Sequence, residues 1–159
     1  MAVIPSSQPA SPFSSVKLTR ILRSNRQQAW DAWTCPEIMM KWWGPRDRIC
    51  IGAELDVRVG GIIRLTDDTP PHAIPFPNVP RSVTGCGVFT EVVPCERMQF
   101  TWVTAFRSNE ESLITVTFRD VEGGTEITVF HEKLPSDIAP AYDGGWSDTL
   151  VKLVALYAA

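Results

Sequence analysis

Residues 136–157 carry Ile138, Tyr142, Trp146, Thr149, Leu150, Leu153 and Tyr157. Their steps of three and four set them along one side of a helix, and Val154 widens the stripe. About twenty residues at ~1.5 Å each make a helix roughly 30 Å long. One apolar stripe needs one apolar surface to cover it, and the segments before it supply that surface. From residue 54 to residue 134 the apolar residues keep returning at a period of two, the mark of strands with one buried face. A run of about six strands followed by one long amphipathic helix predicts an α+β fold in which a curved antiparallel sheet grips the helix. Such a sheet cannot close on a helix everywhere. The space left between them is a natural ligand cavity.

The start of the chain fits the same plan. "SVKLTRIL" (15–22) alternates Val16, Leu18 and Leu22 against Lys17, Thr19 and Arg20, a first strand. Ser24 with Gln27, or Asn25 with Gln28, offers a capping box for a helix whose apolar face is Ala29, Trp30, Ala32 and Trp33. Pro36 ends it, because the residue before a proline is pushed out of helical angles. Thr34 and Glu37 are placed to cap a second short helix carrying Met39, Trp42 and Trp43, which Gly44 and Pro45 stop. "ELDVRV" (54–59) reads as a strand, Gly60-Gly61 as a turn, and "IIRLT" as the return. Residues 67–80 hold five prolines and read as a long loop. "VTGCGVFTEVV" and "RMQFTWVTAF" follow as strands around "PCER", then "SLITVTFRD" and "EITVFHEKL" as a hairpin around "VEGGT". Residues 1–14, rich in Ser, Pro and Ala, read as a disordered leader, and residues 15–159 as a single domain. Inside the terminal helix stand Gly144 and Gly145, each costing about 1 kcal/mol against alanine. They serve either to leave a cavity open or to let the backbone approach the sheet closely.

Several function classes are excluded early. With 15 Lys and Arg against 18 Asp and Glu, scattered along the chain, the net charge is −3. No basic platform for nucleic acid is expected. No apolar run reaches the roughly 18 to 20 residues of a membrane span. The four cysteines, Cys35, Cys50, Cys86 and Cys95, match no zinc spacing and read as reduced thiols of a cytoplasmic protein. No GxSxG, HExxH, P-loop or GxGxxG occurs, so catalytic residues stay unassigned and neither cofactor nor metal is expected. Glu54, Asp56 and Glu91 alternate with apolar neighbours and read as solvated. A homodimer stays open.

"AWDAWTCPEIMMKWWGP", "VGGIIRL", "GVFTEVVPCERMQFTW", "ITVTFRDVEGGTEITVFHEKLP" and "GGWSDTLVKL", in that order over residues 16–157, resemble the bacterial branch of the activator-of-Hsp90-ATPase homologue family. That family belongs to the START/Bet v 1-like superfamily with the helix-grip fold. The resemblance implies a curved sheet of six or seven strands around the long C-terminal helix, with two short helices after the first strand. It implies a small hydrophobic molecule as the partner, bound between sheet and helix. It leaves as alternatives a polyketide cyclase- or hydrolase-like enzyme and an Hsp90-type chaperone partner. The proline stretch 69–80 is longer than the family pattern leads one to expect, and the leader has no counterpart in it.

On this plan seven residues are candidates to line the cavity: Trp42, Trp43, Trp102, Phe118, His131, Tyr142 and Trp146. Of the paired indoles, either both merely pack, as buried aromatics usually do, or one anchors the second helix and the other borders the cavity entrance. Met98, Phe100 and Trp102 share a strand face, as do Ile114, Val116 and Phe118. His131 lies on the face of Ile127 and Val129. It is either a core histidine bonded within the protein or a group that meets the ligand, as hydrogen-bond partner or acid–base. His72, in the proline loop, is expected to be solvated.

Overall fold

Asn25 opens the first helix with a complete capping box: its side chain accepts from the Gln28 backbone N–H, and the Gln28 side chain accepts from the Asn25 N–H. The computed structural model, which describes residues 12–75, 77–104 and 108–158, places this helix, α1 (Arg26–Thr34), between β1 (Phe13–Leu22) and α2 (Pro36–Trp42). Pro36 both ends α1 and starts α2, where its missing N–H costs nothing. Thr34 does not cap α2 as the sequence suggested. Its hydroxyl donates back to the Trp30 carbonyl at 2.9 Å, and Cys35 takes the cap position without a side-chain bond.

Six further strands follow: β2 (Ile49–Leu55), β3 (Ile62–Asp68), β4 (Ser82–Val93), β5 (Arg97–Thr104), β6 (Ser108–Val121) and β7 (Gly124–Pro135). They join β1 in one antiparallel sheet ordered β1-β7-β6-β5-β4-β3-β2. The first strand is thus carried across to pair with the last, and α1 and α2 fill that connection. The final helix, α3 (Ala139–Leu156), packs against β1 and α2. This is the expected α+β helix-grip architecture, with seven strands.

Three boundaries move. β1 begins at Phe13 rather than residue 15, while residues 1–11 of the expected leader lie outside the described residues, as do positions 105–106 of the expected fifth strand. The alternation of "ELDVRV" is strand only to Leu55. From Asp56 the chain turns, with the Asp56 N–H on the Ile62 carbonyl and Gly60 at φ +88°, and Val59 is exposed. Its strand instead reaches back to Ile49. α3 starts at Ala139 rather than residue 136.

The inward faces are those the period-two pattern picks out. Met98, Phe100 and Trp102 on β5, Ile114, Val116 and Phe118 on β6, and Ile127, Val129 and His131 on β7 are all buried. Trp146, Thr149, Leu150 and Leu153 of α3 are buried as well. Among the described residues no helix is long and apolar enough to cross a membrane.

Candidate functional site: an indole-walled pocket under α3

Sheet and helix part company near the N-terminal end of α3, leaving a pocket of about 670 Å³. Trp43, Trp102 and Trp146 form its aromatic corner, with ring centroids 5.6 Å apart for Trp43–Trp102 and 5.5 Å for Trp43–Trp146. Both pairs meet edge to face, the geometry indole quadrupoles favour. Tyr142 continues the wall from α3, its hydroxyl donating to Thr104 Oγ1 at 3.2 Å. Pro77, Asn78 and Val79 of the proline-rich loop complete one side.

Two sets of glycines shape this space. Gly144 and Gly145 line it from α3, and a Cβ on either would meet nothing within 4 Å. Neither therefore brings the helix closer to the sheet, and Gly145, half-buried where Gly144 is exposed, is the one whose missing side chain leaves space on the pocket side of α3. Gly85 on β4 works the other way, because a Cβ there would collide with Cζ2 of the Trp102 indole. The ring lies over the bare backbone. Gly85→Ala should push Trp102 into the pocket at a cost of about 1 to 3 kcal/mol, as overpacking does, read as a lower urea midpoint together with altered tryptophan emission.

His131 is fully buried behind the aromatic corner and is not one of the pocket-lining residues. Its Nδ1 accepts from Trp146 Nε1 at 3.0 Å, and its Nε2 lies 2.7 Å from Ser112 Oγ. An indole nitrogen can only donate, so the His131 proton resides on Nε2 and goes to Ser112. The Ser112 hydroxyl in turn donates to the Trp102 carbonyl at 3.0 Å. Every proton in the chain Trp146–His131–Ser112–Trp102 is assigned, and it ends on a backbone acceptor. Burial pushes the ring's pKa down from 6.5 to about 3, so it stays neutral. His131 is thus a strut joining helix to sheet, with no lone pair or proton to spare for acid–base work.

Trp42 and Phe118 are likewise not lining residues. Trp42 is wholly buried, its Nε1 donating to the Ala32 carbonyl at 2.9 Å and its ring 4.8 Å from Trp33, which fastens α2 to α1. Phe118 packs at 5.3 Å against Trp30. Its strand position is inward, but α1 covers it. Of the seven candidates, Trp43, Trp102, Tyr142 and Trp146 come together at the pocket, while Trp42, Phe118 and His131 support it from behind.

The polar end of the pocket was missed from sequence. Arg48 and Asp67 line it and form a buried ion pair. Arg48 also donates to Thr69 Oγ1 at 2.8 Å and to the carbonyls of Pro80 (3.4 Å), Asp67 (3.0 Å) and Arg81 (3.0 Å). Lys152 of α3 donates to the Arg48 carbonyl at 2.9 Å. One guanidinium thereby ties the base of the proline loop to β3, and its backbone to α3. Burial raises the Asp67 carboxyl above the usual carboxylate range even though Arg48 pulls the other way. A signal for Asp67 did exist. Ile63, Leu65 and Asp67 continue one alternation, and β3 extends to Asp68, so Asp67 points inward from a strand rather than sitting in the loop.

Comparison with known proteins agrees with this architecture. A protein from Chromobacterium violaceum, 25% identical, superposes with a TM-score of 0.75 over 91% of this chain and 97% of its own. An AHSA1 protein from Silicibacter pomeroyi, 19% identical, gives 0.75 over 90% and 96%. A Rhodobacter sphaeroides protein, also 19% identical, gives 0.74 over 94% and 95%. A search of curated protein sequences finds no match. The family model described as activator of Hsp90 ATPase homolog 1-like protein matches residues 23–158. The chain belongs to that family.

Proposed function

We propose that the protein binds a small, mostly apolar molecule in the pocket between its sheet and α3. The observation that carries this reading is the pair Gly144 and Gly145. The helix accepts about 1 kcal/mol of propensity cost at each, both border the indole-walled pocket, and a Cβ on half-buried Gly145 would meet nothing within 4 Å. A ligand burying ~200 Å² of apolar surface there gains about 5 kcal/mol before ordering costs. The free thiols of Cys35, Cys50, Cys86 and Cys95 support a cytoplasmic setting. The enzymatic alternative loses the histidine on which it depended.

The test is to fill the pocket from the helix. The apolar probe N-phenyl-1-naphthylamine should bind the wild type with enhanced fluorescence. Gly145→Leu, which projects an isobutyl group from the side of α3 shared by Tyr142 and Thr149, should weaken binding at least ten-fold while the thermal midpoint holds or rises, since leucine is the better helix former. Undiminished binding by that variant would place the ligand elsewhere.

A further inference from the structure

We propose that the ligand is an aromatic molecule carrying a hydroxyl group, and that the Asp67 carboxylate receives that hydroxyl. This rests on the pocket being the ligand site. Its basis is an inventory of hydrogen-bonding capacity at the polar end.

Arginine has five N–H donors, and Arg48 uses all of them within the protein: on Asp67 Oδ1, Thr69 Oγ1 and the carbonyls of Asp67, Pro80 and Arg81. It has no donor left to hold an anionic headgroup. Arg46, the other guanidinium lining the pocket, is paired with Asp148 at 2.9 Å. Among the charged groups of this end, the capacity that remains is an acceptor. Asp67 gives Oδ1 to Arg48, and the described residues offer no hydrogen-bond partner for Oδ2. A carboxylate oxygen has room for about two donors, and Asp67 is 6% exposed and lines the pocket.

Three kinds of ligand can be weighed against this. A carboxylic acid would bring a second negative charge beside Asp67, where the Arg48 donors are all used, Arg46 pairs with Asp148, and Lys152 is not among the pocket-lining residues. A wholly apolar ligand would strip water from the carboxylate and replace it with nothing, which is costly for a buried charge. A hydroxyl donor replaces the water with a charge-assisted bond, about twice as strong as one between neutral groups. Its aromatic body is then left for the faces and edges of Trp43, Trp102 and Trp146.

The test uses a matched pair of probes, 2-naphthol and 2-methoxynaphthalene, which differ in whether the oxygen can donate. Calorimetric titration of the wild type should show 2-naphthol bound at least about ten-fold more tightly, the scale expected of a hydrogen bond to a charged group. Comparable affinities would overturn the proposal while leaving the pocket a ligand site. Failure of both probes to bind would instead overturn the ligand reading and this proposal with it. In Asp67→Asn the preference should shrink to a few-fold. In Arg48→Met/Asp67→Leu, which removes the buried pair together and guards against misfolding of the single variant, it should vanish. A full preference surviving in either variant would show that another group receives the hydroxyl.

Discussion

Replacing His131 by alanine should lower the free energy of unfolding by about 3 to 5 kcal/mol, which is large for a histidine. Two losses combine. Deleting a fully buried ring leaves a cavity. It also orphans the Trp146 indole N–H and breaks the bond to Ser112, and a buried polar group without a partner costs about 1 to 3 kcal/mol. The same strut makes stability depend on pH. Unfolded, the ring titrates near 6.5; folded, it titrates near 3, because burial disfavours the charge. Between those values the unfolded chain holds the proton and the folded one does not. This contribution is therefore complete above pH 6.5 and falls away as pH drops toward 3, at up to about 1.4 kcal/mol per pH unit. His131→Gln can still accept from Trp146 and donate to Ser112 but does not titrate. Urea midpoints from pH 7 to pH 4 should fall more steeply for the wild type than for this variant, and equal slopes would show that the imidazole is not held neutral.

Arg48→Met should be nearly as damaging, at about 3 to 5 kcal/mol, because it leaves the Asp67 carboxylate buried and unpaired. It also releases the carbonyls of Pro80 and Arg81, and with them the base of the proline loop. The informative variant is the double one. Since burial raises the Asp67 pKa despite the arginine, attraction within the pair only partly offsets the desolvation of its members. Arg48→Met/Asp67→Leu should consequently recover most of the stability lost in Arg48→Met. Additive losses in a double-mutant cycle would mean that Arg48 acts through its loop contacts and not through Asp67.

These variants fall on residues that differ in how readable they were. The architecture followed from period alone. Strands alternating around Phe100, Val116 and Val129, and a helix stepping through Trp146, Leu150 and Leu153, have few ways to bury their apolar sides. Glycine and proline fixed where elements stop, except where alternation ran on into a turn, as at Val57 and Val59. The aromatic wall of the pocket was legible too, since Trp43, Trp102, Tyr142 and Trp146 are large aromatic residues.

Spacing along one element is enough to tell which side of each strand and helix faces inward. What the tertiary structure alone decided was which inward residues meet the pocket and which lie behind it. Phe118 and Trp102 have the same kind of strand position, yet α1 covers one and leaves the other bare. His131 became a strut only when Trp146 of α3 and Ser112 of β6 came within hydrogen-bond distance of it. The pairing of Arg48 with Asp67, nineteen residues apart, likewise needed β3 and the proline loop to close on one guanidinium. Burial and hydrogen bonding join elements that are distant in the chain, and no period within one element encodes the partner on another.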